Sequence, residues 1–347
     1  YNPGGTNAFV LSVNSSTGEV TLDQIRALTH PIGGIASPDE LVTLATGAVT
    51  LIATVTDRDG DIASANIDLG GRVSFHDDAP TVTTNVTATS LVVDESTLGT
   101  NDTENFASAF TVDYRADGAG TTVYSLGVSS AGVDSGLDDV ATGNSIYLYQ
   151  VGNVVYGQVG NNTGTYNAGG TNAFTLTVNV STGEVTLDQI RALTHPTGGT
   201  GSPDELVTLA TGAVTLIATV TDRDGDIASA NIDLGGRVSF HDDAPTVTTN
   251  VTATSLVVDE STLGTNDTEN FASAFTVDYR ADGAGTTVYS LGVSSAGVDS
   301  GLDDVATGNS IYLYQVGNVV YGQVGNNTGT YNPGGTNAFV LSVNSST

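Results

Sequence analysis

Cysteine, methionine, tryptophan and lysine are all missing from the 347 residues of this chain. Without cysteine there are no disulfides, zinc-thiolate sites or thiol nucleophiles, so an extracellular form needs another kind of cross-link. Because there is no methionine at all, we expect the sequence to be a piece of a longer protein. Metal bound by carboxylates is the obvious candidate for the cross-link.

Positive charge is also scarce, since 38 Asp and Glu residues face 8 Arg residues and give a net charge of −30. Proteins that bind nucleic acid need basic patches, so this composition excludes nucleic acid as a partner. The same deficit of positive charge argues against docking on anionic lipid. The mean hydropathy is +0.04. No apolar run approaches the ~20 residues that span a bilayer, so we expect a soluble chain without direct membrane insertion.

An internal repeat organises the sequence. The segment that begins at Tyr1 returns at Tyr166 and again at Tyr331, a period of 165 residues. This period far exceeds the 20–50 residues of solenoid repeats and matches an ordinary domain. Between 1–165 and 166–330 only seven positions differ, namely Pro3/Ala168, Val10/Thr175, Ser12/Thr177, Ser15/Val180, Ile32/Thr197, Ile35/Thr200 and Ala36/Gly201.

The repeat has its clearest punctuation at Phe-His-Asp-Asp-Ala-Pro, which occupies 75–80 and 240–245. Alternating apolar stretches stop before this polar pair and resume after the proline. We therefore predict the C-terminal part of one domain at 1–78, a complete β-sandwich at 79–243 and the N-terminal part of the next domain at 244–347.

Period-two alternation predicts the strands. Phe9, Leu11 and Val13 share one face, whereas the second copy is substituted on the other face, at Thr175 and Thr177. Only 22–28 hints at a helical period. The fold class is therefore all-β: tandem Ig-like, cadherin-like β-sandwich domains in an extended rod. The predicted strands are 8–13, 20–22, 48–56, 62–75, 106–113, 122–128, 145–151 and 154–159.

Acidic residues cluster in a few turns, and each full repeat carries 19 acids and 4 Arg. The sharpest cluster is Asp57, Asp59 and Asp61 around Gly60, which repeats at Asp222, Asp224 and Asp226. Carboxylates at this spacing can converge on Ca²⁺, which takes six to eight oxygen ligands. The alternative is a solvated acidic hairpin loop.

Tracing the strands predicts where these carboxylates meet. An unbroken strand over 62–75 would be roughly 45 Å long and would put the acidic loop at the end of the domain remote from its own C-terminal linker. The loop at 222–226 should then face Asp77 and Asp78, and a first strand over 81–93 should bring Asp94 and Glu95 near Asp242 and Asp243. We thus expect calcium junctions between neighbouring repeats, with these ligands: Asp57, Asp59, Asp61, Asp77, Asp78, Asp94, Glu95, Asp222, Asp224, Asp226, Asp242, Asp243, Asp259 and Glu260.

Several ordered motifs together resemble known repeats. The linker at 77–80 is similar to the Asp-Asn-Ala-Pro junction of cadherins. Val-Val-Asp-Glu at 92–95, Ala-Gly-Val-Asp-Ser-Gly-Leu at 131–137, Thr-Val-Thr-Asp-Arg-Asp-Gly-Asp at 54–61 and the linker motif at 75–80 look like the long repeats of giant type-I-secreted RTX adhesins of Gram-negative bacteria.

That resemblance implies a calcium-bound, Ig-like extender on the cell surface, which projects an adhesive domain for attachment or biofilm formation. Two features depart from the pattern. The loop reads Asp-Arg-Asp where Asp-Gly-Asp is usual, and the glycine-rich nonapeptide calcium repeats are absent from these 347 residues.

Three other functions compete with this interpretation. We expect no enzyme, because His30 and His76 do not neighbour a serine in a nucleophile-elbow setting. Both histidines are expected to be structural, with a junction ligand or cap as the alternative for His76. A second alternative is a calcium-dependent carbohydrate-binding module. This hypothesis is less favoured because cross-strand packing explains Tyr147, Tyr149 and Tyr156. A self-associating extracellular fibre stays open, although the charge of each repeat opposes lateral contact.

Overall fold

The computed structural model describes residues 4–31, 39–196, 205–252 and 254–345. The chain divides into two compact units, Tyr1–Gly283 and Ala284–Thr347. Strands dominate, and the helical elements in the described ranges are 3-10 turns of three residues each. The predicted all-β class is confirmed. Within those ranges, no helix has the length and apolarity needed to cross a membrane.

The first unit contains strands β1 to β22. They are β1 Phe9–Val13, β2 Val20–Gln24, β3 Leu41–Thr43, β4 Thr50–Thr56, β5 Ile62–Asp68, β6 Ser74–His76, β7 Thr81–Thr84, β8 Leu91–Asp94, β9 Asp102–Asn105, β10 Phe110–Asp113, β11 Thr121–Val128, β12 Val133–Asp138, β13 Ser145–Val151, β14 Val154–Val159, β15 Asn172–Val178, β16 Glu184–Gln189, β17 Leu206–Thr208, β18 Val214–Thr221, β19 Ile227–Asp233, β20 Val238–His241, β21 Thr246–Thr249 and β22 Phe275–Asp278. The 3-10 turns are Glu95–Thr97, Ala107–Ala109, Glu260–Thr262, Ala272–Ala274 and Arg280–Asp282.

A sandwich occupies the middle of this unit. One antiparallel sheet has the order β12-β13-β14-β15-β16-β9. The other strands form the sheets β11-β18-β19, β17-β20-β8 and β10-β7, with β20 and β8 parallel. Buried side chains from both sets of sheets form one core, and its residues come from the part of the sequence between Leu91 and Phe240. Its largest fully buried side chains are Phe106, Phe174 and Phe240. This core lies inside the predicted domain at 79–243, whose exact boundaries remain a prediction.

The inward and outward faces of β15 follow the predicted alternation. Phe174, Leu176 and Val178 are buried, whereas Thr175 is half-buried and Thr177 is exposed. Successive side chains point to opposite faces of a sheet, so the two substituted positions lie on the outer face. Burial of each large apolar side chain here contributes roughly 1.5–3 kcal/mol.

The unbroken strand predicted over 62–75 is wrong. The chain leaves β5 after Asp68, turns, and re-enters as β6 at Ser74. Gly71 has φ +70°, and a Cβ on Gly70 would lie 2.2 Å from the Ala45 carbonyl oxygen, so glycine permits this tight turn. The continuous first strand over 81–93 is likewise split, into β7 and β8.

Three smaller expectations also change. The segment 106–113 begins with a 3-10 turn and becomes a strand only at β10, and the helical hint over 22–28 is wrong because β2 continues to Gln24. The strands β3, β9 and β12 were not expected. The β3 strand has only three residues, β9 reads Asp-Thr-Glu-Asn and has no apolar residue, and β12 has a register shift between Asp134 and Asp138.

Identical sequences have different surroundings in different copies. The hairpin β4-β5 repeats as β18-β19, but only β18 pairs with a third strand, β11. Val220 in β18 is 0% exposed, while its counterpart Val55 in β4 is 65% exposed. Packing against the rest of the sandwich therefore decides burial.

The second unit is a four-stranded antiparallel sheet in the order β23-β24-β25-β26. Its strands are β23 Val298–Asp303, β24 Ser310–Val316, β25 Val319–Val324 and β26 Asn337–Ser342. Ile311 and Val320 are its buried apolar residues among those described.

Candidate metal centre

The acidic loop between β18 and β19 is folded around one of its own carboxylates. Asp222 Oδ1 accepts hydrogen bonds from the backbone N–H of Gly225 (3.1 Å) and of Asp226 (2.8 Å). Gly225 has φ +116°, a conformation that favours glycine. In the first copy, Asp57 Oδ1 accepts the equivalent two hydrogen bonds, so the loop geometry is local.

The first junction is the set of residues that surrounds the linker at 77–78. Its acidic and imidazole side chains are His30, Glu40, Asp77, Asp78, Asp117, Asp222, Asp224 and Asp226. His30 Nδ1 lies 2.9 Å from Asp77 Oδ1 and 3.8 Å from Asp224 Oδ2. The His30 backbone N–H also donates to Asp224 Oδ2 at 3.1 Å. The end of one repeat thus meets the acidic loop of the next.

Several oxygens of the first junction are buried without a hydrogen-bond partner. These atoms are Asp77 Oδ2, Asp222 Oδ2, Asp224 Oδ1 and both carboxylate oxygens of Glu40. One ligand atom each from Glu40, Asp77 and Asp226 lie within 4.8 Å of one another. Buried carboxylate oxygens without donors are costly, and a cation would satisfy them.

Burial and neighbouring carboxylates disfavour the ionised form of several acids at the first junction. Burial, and then the charge of Asp224, raise the pKa of Asp77 to about 6. Burial, and then a hydrogen bond with Asp78, raise the pKa of Asp117 to about 7. The pKa of Asp222 is also raised, mainly by burial. Positive charge placed here would reverse these shifts.

The second junction surrounds the linker at 242–243 and contains Glu95, His195, Asp242, Asp243 and Asp282. One oxygen from each of the four acids lies within 4.8 Å of the others. Asp243 Oδ2 accepts from the Ala281 backbone N–H at 3.2 Å, while its Oδ1 is buried without a partner. Here too, side chains before the linker meet residues that follow it.

Glu95 is the most deeply buried acid of the second junction, with 1% of its surface exposed. Its Oε1 accepts from Gln189 Nε2 at 2.8 Å and from the Leu193 backbone N–H at 2.7 Å, while Oε2 has no partner. Burial is the main cause that raises the pKa of Glu95 to about 8, and the charges of Asp282 and Asp242 act in the same direction.

The histidine of the second junction joins the linker to the preceding strands. His195 Nδ1 lies 3.1 Å from the Leu193 carbonyl oxygen and 3.4 Å from Asp242 Oδ1. Its Nε2 lies 3.2 Å from the Phe240 carbonyl oxygen. One atom each from Glu95, His195 and Asp242 also lie within 4.8 Å of one another.

The structure brings together most of the residues predicted as ligands, but not all. Asp57, Asp59 and Asp61 form an exposed group, and Asp259 and Glu260 are exposed. Asp94 caps the 3-10 turn that follows it, since its Oδ1 accepts from the Ser96 N–H at 2.8 Å. The pKa of Asp94 is lowered, mainly by a hydrogen bond with the Ser96 side chain and also by this backbone hydrogen bond. Asp78 Oδ2 accepts from the Ala116 N–H at 3.3 Å.

Sequence reasoning missed several residues of the two junctions: His30, His195, Glu40, Asp117 and Asp282. The first was expected to be only structural. The two aspartates belong to Arg-Ala-Asp-Gly turns whose first residues, Arg115 and Arg280, have positive φ angles of 52° and 54°. Such strained positions commonly mark functional turns, but φ cannot be read from the sequence. His76, a suggested ligand, instead forms an exposed pair with Asp39 at 3.0 Å.

Together these features define a class of protein: an all-β tandem repeat whose linkers carry acidic clusters able to hold metal ions. The family described as "Domain of unknown function (DUF5801)" matches residues 1–70, 90–235 and 255–347, and the chain belongs to this family. The gaps between the matched ranges contain the linkers at 77–78 and 242–243. No curated protein matches the chain.

Proposed function

We propose that this chain is part of the extender region of a large secreted repetitive adhesin, in which calcium stiffens the junctions between repeats. The observation that supports the proposal is the approach of Asp77, at the end of one repeat, to Asp224 in the loop of the next. Residues from two repeats can thereby share one cation. On this proposal the protein has no enzymatic activity. Its function is to extend the adhesin away from the cell and to keep it stiff.

The donor set at each junction suits calcium. Oxygen ligands dominate, and hard divalent cations with flexible coordination, above all Ca²⁺, prefer carboxylate oxygen. The unpartnered buried oxygens of Glu40, Asp77, Glu95 and Asp243 are available for such coordination. A bound cation supplies the positive charge that allows these carboxylates to be ionised at close range. In a chain without cysteine, this cross-link would replace disulfides outside the cell.

The proposed mechanism rests on which elements hold the ligands. Asp77 and Asp78 belong to the linker, whereas Asp222 and Asp226 are held by the turn between β18 and β19. With a shared cation, bending the linker would separate these groups and break coordination bonds. Without one, the like charges repel and the linker is restrained only weakly, so the distance from the cell to the adhesive end would not grow linearly with repeat number.

Small-angle scattering on a longer tandem array of the same repeat tests the proposal. The maximum dimension should be greater in calcium than in chelator, while circular dichroism shows that the domains stay folded. Replacing Asp77 and Asp78 by Asn, at every linker, should reproduce the chelator result in the presence of calcium. The same maximum dimension in both conditions would contradict the proposal and would favour a carbohydrate-binding role for the acidic loops.

A further inference from the structure

An ion pair lies beside the second junction without belonging to it. Arg191 donates from Nε to Asp139 Oδ1 at 2.7 Å and from Nη2 to Oδ2 at 3.1 Å. Asp139 is 0% exposed, and Thr142 donates to its Oδ2 from both the backbone N–H (3.1 Å) and the hydroxyl (2.7 Å). Two-point Arg–carboxylate pairs fix geometry as well as charge. Burial alone would raise the pKa of Asp139, but the hydrogen bonds from Arg191 and Thr142 outweigh it and lower the pKa.

The pair connects two segments that also contact each other through their backbones. One is the turn after β12, around Asp139. The other, which we call the bracket segment, is residues 189–195, at and after the end of β16. The Thr194 N–H donates to the Asp138 carbonyl oxygen at 2.8 Å, and the Val140 N–H donates to the Ala192 carbonyl oxygen at 3.3 Å. The side-chain pair reinforces this contact on the same short stretch.

The bracket segment supplies both donors to the buried carboxylate of the junction. Leu193 contributes its backbone N–H and Gln189 its side-chain amide, and both donate to Glu95 Oε1. Gln189 Nε2 also donates to the Arg191 carbonyl oxygen at 3.2 Å. These bonds occupy Oε1 and leave Oε2 for the junction. The orientation of Glu95 therefore depends on where Arg191 holds this segment.

The other copies of the repeat provide an internal comparison. Arg26 has the same sequence neighbours as Arg191, but whereas Arg191 is paired with the buried Asp139, Arg26 is exposed. Next to it Leu28 is only half-buried, whereas Leu193 is 0% exposed. Glu260, the counterpart of Glu95, is also exposed.

We propose that Asp139 and Arg191 are positioning residues for the cation site of the second junction, because they hold the bracket segment that orients Glu95. This inference rests on the proposed function, since it assumes that the junction binds calcium. Mutation of residues that hold a metal ligand in place without touching the ion commonly changes the metal affinity by about 10–100-fold. Neither residue would itself contact the ion.

The test is calcium titration by calorimetry of the full chain and of Arg191→Lys, which keeps the charge but cannot reproduce the two-point pair. We expect the affinity of one class of sites to fall about 10–100-fold. Arg26→Lys, at the same repeat position but at an exposed residue, is the matched control and should titrate like the wild type. If Arg191→Lys does not fold, Thr142→Val is tested in its place. This milder variant leaves Arg191 in place and should lower the same calcium affinity by a smaller factor.

Making Arg191→Lys in a chain that already carries Glu95→Gln distinguishes a positioning role from a general loss of stability. In Glu95→Gln, Arg191→Lys should have no further effect on the remaining calcium sites, because the pair acts through Glu95. Equal effects of Arg191→Lys in both backgrounds, or an unchanged calcium affinity in a variant with lowered unfolding stability, would overturn the positioning role. If the wild-type chain binds no calcium, the proposed function fails as well, and that result is visible before any variant is made.

Discussion

Burial of Glu95 should make the stability of the chain depend on pH when no metal is present. The folded state raises the pKa of this carboxyl from 4.5 to about 8. Below pH 4.5 both states hold the proton, and Glu95 costs nothing. As the pH rises from 4.5 towards 8, the unfolded state releases its proton while the folded state keeps it, so the free energy of unfolding falls.

The size of this effect follows from the shift. Each pKa unit corresponds to 1.36 kcal/mol, so the full shift of Glu95 is worth roughly 5 kcal/mol, of which about 4 kcal/mol is lost between pH 5 and pH 8.5. Glu95→Gln cannot ionise but keeps an oxygen that can accept from Gln189 and Leu193. In this variant the contribution of residue 95 should disappear. The raised pKa values of Asp77 and Asp117 act in the same direction in both proteins, so they cancel in the comparison.

Urea unfolding of the full chain in EDTA, at pH 5 and pH 8.5, measures this difference. Between these two pH values, the free energy of unfolding of the wild type should fall by about 4 kcal/mol more than that of Glu95→Gln. Glu260→Gln is the matched control, because Glu260 has the same repeat position and is exposed, and it should follow the wild type. Calcium at ~100-fold excess over its dissociation constant should return about 2.7 kcal/mol per site to the wild type at pH 8.5. If wild type and Glu95→Gln lose stability in parallel, the reasoning from burial is refuted.

Three further predictions concern packing and boundaries. Val220→Ala should lower the free energy of unfolding by roughly 2 kcal/mol because it leaves a cavity. Val55→Ala, at the exposed counterpart, should lower it by under about 0.5 kcal/mol. Equal losses in urea titrations would contradict this prediction. Gly157→Ala should lower the melting temperature and reduce the free energy of unfolding by about 1–3 kcal/mol, because the new Cβ would clash with Cε1 of Phe174. An unchanged melting temperature would show that the Phe174 ring moves aside freely. Limited proteolysis of a longer array in chelator should cut near 77–80 and its copies, whereas cleavage near Tyr166 would place the domain boundary elsewhere.

Much of the candidate site followed from the sequence because its chemistry is local. The spacing around Gly225 identified a loop of converging carboxylates, and the linker motif placed Asp77 at the predicted boundary between two repeats. The approach of Asp77 to Asp224 was expected from the strand tracing, although the strands proved shorter and more often broken than the pattern suggested. His30 and Asp117 could not be found this way, since each reaches the junction through a separate turn whose direction depends on backbone angles.

The copies show which features the sequence determines alone. Asp94 and Asp259 each cap a 3-10 turn with the same hydrogen bond, to Ser96 and Ser261 respectively, because that bond spans two residues and needs no outside partner. The acidic loops at 57–61 and 222–226 fold alike for the same reason.

Tertiary structure alone decided burial, strand pairing and pKa. The stretch at 91–94 is the parallel partner of β20, whereas the identical stretch at 256–259 is not a strand. Glu95 is buried and its pKa is raised, while Glu260 is exposed. Burial raises the pKa of Glu95, although the hydrogen bonds from Gln189 and Leu193 lower it, and these two residues lie 94 and 98 residues away in the chain. Desolvation of a carboxylate is a property of the atoms packed around it, and those atoms are supplied by distant parts of the fold.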